Sequence, residues 1–182
     1  DDLERLAEEV KRHSEDLDRI VEEIRDRVRR YKEKLDEVVK EDEKRVREWR
    51  DRLEKLVRAG VSEEVLRKLA EDLEKHKEDS DRTNEKLREE VKRLEEEIRK
   101  TLEDLNRHSK ELVERARRRG GKLKDELDKI ITRLEEANRK AAEDLRRVVE
   151  ELRKAHEEMN RKSEKTKKDL DEVLEEAERR TR

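Results

Sequence analysis

Three residues of this 182-residue chain carry the chemistry of a catalytic or metal centre: Asp42, His76 and His156. Two imidazoles and a carboxylate form a plausible zinc donor set. With a serine hydroxyl beside them, the same groups are those of nucleophilic hydrolysis. Pattern argues against both. Helical metal sites hold their ligands one turn apart, as in Glu-x-x-His. With the chain folded at its breaks, His156 stands about two turns from the level of His76, and the residues around them are Ser, Thr and Asn, which are poor zinc ligands. Hydrolysis also needs a cleft and a set of oxyanion donors, and nothing in the sequence builds them. The expectation is no catalytic residue, no metal, no cofactor and no small-molecule ligand.

The positions of these polar residues are more informative than their chemistry. In "HEEMNRKSEKT", residues 156–166, His156, Asn160, Ser163 and Thr166 recur at steps of four, three and three. On a helix they line one face, the face that neighbouring turns fill with Leu152, Leu170 and Leu174. Polar groups therefore stand where the pattern asks for a core.

That pattern is regular. Leu3, Leu6, Val10, Leu17, Ile20, Val21, Ile24 and Val28 open a series spaced by threes and fours, the sign of one helical face. A longer step of eighteen links Leu17, Leu35 and Leu53, then Val10, Val28 and Val46, then His13, Tyr31 and Trp49. It continues in Leu69, Leu87 and Leu105, and in Leu134, Leu152 and Leu170. Eighteen residues in five turns is the unsupercoiled helix, whereas a seven-residue repeat would impose a left-handed coil. The predicted helices are nearly straight.

Composition supports this reading over disorder. Charged residues make up 60% of the chain, with 53 basic against 56 acidic, and there is no Pro and only three Gly. Disordered chains of high charge lack a strict apolar period; long helices and coiled coils have this composition. The absence of Cys excludes disulfide and thiolate chemistry. No apolar run approaches the roughly 20 residues that span a bilayer, and mixed charge with a net of -3 disfavours a polyanion-binding face. A soluble chain, cytoplasmic on recombinant expression, without nucleic-acid or membrane partners, is expected.

Two breaks divide the chain. In "RAGVSEEVL", Gly60 suits a left-handed C-terminal position, Ser62 an N-cap, and Val61 with Leu66 a hydrophobic staple. In "RRRGGKLKDEL", Gly120 and Gly121 follow Arg117–Arg119, whose charge suits a helix C-terminus. The prediction is an all-α fold, one domain over residues 1–182, with helices over about 2–59, 63–118 and 122–181, packed as a long up-down-up three-helix bundle.

Folding the chain at those breaks gathers the inward polar residues into two stretches. One contains Asp42, His76, Ser80, Thr83, Asn84, His156, Asn160, Ser163 and Thr166; the other contains His13, Ser14, Asn106, His108, Ser109 and Asn138. An unpaired buried polar group costs about 1–3 kcal/mol, so these groups are expected to hydrogen-bond one another. Inward histidines that bond while neutral would also resist protonation, and charging them near about pH 5–6 would open the bundle.

Taken together, the idealised helices, the "GVSEE" and "GG" loops, the eighteen-residue step, the His/Asn/Ser/Thr layers, single Trp49 and Tyr31, and the lack of Phe and Pro resemble de novo designed helical bundles with buried hydrogen-bond networks. That class includes designed heterodimers assembled as four-helix bundles. Natural spectrin-like three-helix repeats share the topology but are less uniform and richer in aromatics. The resemblance implies a designed association module. Its partner would be a complementary helical chain docking between the first and third helices, with the polar networks setting specificity. The alternatives are self-association, a self-contained monomeric scaffold without a binding function, and a pH-responsive self-assembling bundle.

Overall fold

A computed structural model describes residues 2–118 and 124–181. Three helices follow one another: α1 (Asp2–Arg58), α2 (Glu63–Arg118) and α3 (Lys124–Arg179). They make an up-down-up three-helix bundle, and no strand occurs among the described residues. The predicted loop residues Arg119, Gly120 and Gly121, and the predicted start of the third helix at 122, lie outside the described residues.

Strong helix formers on the outer faces and apolar residues at a 3.6 period inside account for this continuity. Whole eighteen-residue rows are buried. Leu17, Leu35 and Leu53 are inside, as are Leu134, Leu152 and Leu170, with Leu152 at 0% exposure. The same helical face therefore points inward at each return of the step.

The break after α1 is set by local chemistry. Gly60 has φ +65°, the left-handed conformation that costs an L-residue about 1–2 kcal/mol. Its N–H donates to Val57 O at 3.1 Å, and Val61 N–H donates to Leu56 O at 3.3 Å. Those two bonds are a Schellman ending. They end α1 at Arg58, one residue before the predicted boundary. Ser62 O accepts the first bond of α2, from Leu66 N–H at 3.4 Å. Val61 and Leu66 pack in the same apolar cluster, as a staple requires. Lys55 and Arg58 occupy the last turn of α1, while Glu63 and Glu64 open α2, each matched to the local helix dipole.

The contacts divide the chain into two compact units, each drawing on all three helices. Unit 1 comprises Asp1–Arg30 and Lys92–Leu152; unit 2 comprises Tyr31–Val91 and Arg153–Arg182. In unit 1, Leu6 and Val10 of α1, Leu112 and Ala116 of α2, and Leu127 and Leu134 of α3 form a buried cluster. In unit 2, Val46 and Leu53 pack with Leu66, Leu69 and Leu73 and with Leu170, Val173, Leu174 and Ala177. Each fully buried leucine contributes roughly 1.5–3 kcal/mol.

Ion pairs border both cores. Arg27–Glu97 (2.6 Å) and Arg115–Glu9 (2.8 Å) join α1 to α2 in unit 1, and Arg25–Asp144 (3.4 Å) joins α1 to α3. In unit 2, Lys34–Glu90 (3.0 Å) and Arg50–Asp169 (3.4 Å) make the corresponding links. Exposed pairs of this kind supply about 0–1 kcal/mol each, so they select neighbours more than they stabilise.

Candidate functional site

The polar residues of unit 1 form a relay across all three helices. His13 of α1, 4% exposed, bonds through Nε2 to Ser109 Oγ of α2 at 2.9 Å. The Ser109 hydroxyl donates to Asn138 Oδ1 of α3 at 3.2 Å. The Asn138 amide in turn donates to Asn106 Oδ1 at 3.1 Å. Serine has one hydroxyl proton and spends it on Asn138, so the bond from His13 must be donated by an Nε2–H. That fixes the neutral tautomer and leaves Nδ1 as the site where a second proton would sit.

His108 takes a different place from the interior one predicted. It is exposed, because its position on α2 falls at the edge of the apolar face, and it meets His13 edge-on with ring centroids 4.7 Å apart. Ser14 is half-buried. Burial first, then the neighbouring His108 imidazole, push the His13 pKa below its ordinary value, against a smaller upward pull from Asp16.

In unit 2 the polar residues meet mostly in pairs. Asn84 of α2 donates through Nδ2 to Ser163 Oγ of α3 at 2.5 Å. The half-buried Asp42 carboxylate of α1 lies near Ser80 of α2 and near the His76 ring. Burial raises the Asp42 pKa, with His76 the largest opposing influence. His76 packs against Trp49 at a centroid distance of 5.9 Å, and its pKa is lowered, by burial first and then by Arg45, while Asp42 and Asp79 act the other way. His76 Nε2 and Asn160 Oδ1 are buried without a hydrogen-bond partner. His156 is half-buried.

The two threonines of the predicted interior set, Thr83 and Thr166, bond within their own helices. Thr83 is exposed and its hydroxyl donates to Asp79 O at 3.0 Å; it stands outside the interior set in which it was predicted. Thr166 is buried, 6% exposed, yet its hydroxyl turns back to Lys162 O at 2.9 Å. A hydroxyl bonded to the carbonyl four residues earlier needs no cross-helix partner.

Two polar contacts were not evident from the sequence. Tyr31 donates its buried hydroxyl to Leu87 O of α2 at 2.5 Å, and Lys77 of α2 pairs with Asp171 of α3. The Tyr31 contact had a signal in the row His13, Tyr31, Trp49, where every member is a ring with a polar atom. Lys77–Asp171 had none, since both residues resemble the many charges of the outer faces.

The chemistry available to this arrangement is limited. In unit 2 His76 Nε2 reaches no hydroxyl, so the serine-to-imidazole contact of a hydrolytic triad is not formed around Asp42. Among the described residues no three His, Asp or Glu side chains gather closely enough to hold a metal ion. None of the described helices is long and apolar enough to cross a membrane.

No protein-family model and no curated protein sequence matches the chain. Its structure is similar to a solved "Computationally designed three helix bundle", with a TM-score of 0.53 over 99% of this chain and 95% of that one, at 16% identity. The fold is a three-helix bundle. At that identity the likeness speaks to the fold alone. In such a bundle the interior has few places for polar atoms, so the His13–Ser109–Asn138–Asn106 relay is its most specific interior feature.

Proposed function

We propose that this chain is a designed, self-contained three-helix scaffold without an enzymatic activity, and that its interior polar groups hold the helices in register. One observation carries the reading: among the described residues the exposed large hydrophobics reduce to Val65, at 41% exposure. A helix face awaiting a partner would expose a contiguous apolar stripe. The sequence regularity and the likeness to a designed bundle support the designed origin. The relay supports the register role, because sliding one helix by a turn would break it and strand several buried polar atoms at about 1–3 kcal/mol each.

A second reading has its own observation. In unit 2 a groove of about 450 Å³ runs between α1 and α3, floored by Leu53, Val57 and Val173 and edged by Arg50, Glu172 and Arg180. It lies between the two helices where a fourth helix from another chain would dock to complete a four-helix bundle. In that case the chain is an association module and the polar residues of unit 2 set partner choice. Sedimentation equilibrium of the isolated chain tests the scaffold reading directly. A monomer of 22.2 kDa that stays monomeric as concentration rises supports the scaffold. Dimers or larger species would sink it in favour of the association module.

A further inference from the structure

The two units keep their inward histidines in different electrostatic company, and we propose that the chain opens unit by unit in acid, unit 1 losing more of its structure than unit 2 as the histidines protonate.

The argument starts at His13. Its relay partners Ser109, Asn138 and Asn106 are all neutral, and none can acquire a negative charge at mild acidity. A second proton must go to Nδ1 of a ring only 4% exposed. The titratable groups acting on that ring are His108 of α2 and Asp16 of its own helix, while α3 brings the uncharged Asn138. His108 is solvent-exposed, and its ring, 4.7 Å from that of His13, opposes a charge there. Burial and His108 together outweigh Asp16 and hold His13 below its ordinary pKa. A charge arriving here is therefore buried and opposed.

Unit 2 differs at the same step. His76 is only half-buried, and its surroundings include the Asp42 carboxylate of α1 and Asp79 of its own helix, against which Arg45 of α1 acts. From α3 the remaining titratable member of the polar set is His156; Asn160, Ser163 and Thr166 do not titrate. A proton on His76 thus creates an ion pair with Asp42 in place of an isolated charge. Its pKa is lowered too, through burial first, so unit 2 also loses stability in acid. It loses less, because the charge meets a carboxylate.

The sign follows from linkage. A histidine whose folded pKa is lowered binds its proton better when unfolded, so stability is complete above the unfolded value of about 6.5 and declines below it. The populated loss is roughly tenfold in the opening equilibrium for each unit by which folding depresses the pKa.

Hydrogen exchange of the full chain, read by peptide and corrected for the intrinsic pH dependence of exchange, tests this between about pH 7.5 and about pH 5. The expected result is that peptides from α1, α2 and α3 within unit 1 lose protection several-fold, while those of unit 2 lose less over the same range. Asp42→Asn is expected to enlarge the loss in unit 2 toward that of unit 1, since it removes the carboxylate that receives the His76 charge. Equal loss in both units of the unaltered chain, larger loss in unit 2, or protection indifferent to pH would each overturn the proposal. Should Asp42→Asn fold poorly, the unaltered chain alone still decides it.

Discussion

The imidazole of His13 and the hydroxyl of Ser109 stand 96 positions apart in the chain and share a buried hydrogen bond of 2.9 Å. The bond ties α1 to α2, and through Asn138 to α3, inside the apolar interior of unit 1. Removing one partner leaves a buried donor without an acceptor. Ser109→Ala is expected to lower unfolding stability by about 1–3 kcal/mol in chemical denaturation. Joining it to His13→Leu should recover much of that loss, because the orphaned donor goes with the ring. A double variant whose cost equals the sum of the two singles would show the bond to be energetically idle.

Tyr31 offers a second test with an alkaline signature. Its hydroxyl donates to the Leu87 carbonyl, whose second lone pair is spare within the helix. Burial, and then the Glu90 charge, raise its pKa above the ordinary 10.0. A raised folded value means the stabilisation is complete below about pH 10 and is lost as pH rises toward the folded value. Tyr31→Phe should therefore cost about 1 kcal/mol near neutrality. In alkali the gap between the two proteins should close, which denaturation at both pH values would reveal.

Gly60 isolates a backbone effect. A Cβ added there meets nothing within 4 Å, so any cost of Gly60→Ala comes from the positive φ alone. The expected loss is about 1–2 kcal/mol, with Gly60→Asn costing less because Asn tolerates that conformation better. A loss beyond about 4 kcal/mol in urea unfolding would mean that the turn carries more than its backbone angles.

Core truncations should separate sharply from surface ones. Leu145 and Leu152 are at 0% exposure, and replacing either by Ala is expected to cost about 2–5 kcal/mol. Val65→Ser removes an exposed side chain from the first turns of α2 and should stay within about 0.5 kcal/mol. Thermal melts of the three variants would check the order, and a costly Val65→Ser would point to a partner covering that position.

Much of this architecture was legible in the residues, for particular reasons. The break at Gly60 could be read in detail because its chemistry is local: a left-handed glycine, a staple between Val61 and Leu66, a helix-starting Ser62. The eighteen-residue rows identified the buried faces because burial on a helix depends on angle, and the sequence gives angle directly. Hydrogen-bond choice was less accessible. Thr83 and Thr166 differ in burial, yet both bond to their own helix, an option open to any mid-helix threonine and invisible in spacing. His108 stands one residue from Ser109, a turn of about 100° that moves it from the interior to the rim. Tyr31 reached a carbonyl because of its length, which periodicity does not measure.

The placing of the aromatic residues has a practical consequence. Tyr31 and Trp49 are the protein's single tyrosine and tryptophan, and both belong to unit 2. Intrinsic fluorescence and near-ultraviolet absorbance would therefore follow one half of the polypeptide and be blind to the other. A melt recorded by emission alone could look cooperative and complete while the half containing the His13 relay had already come undone in silence.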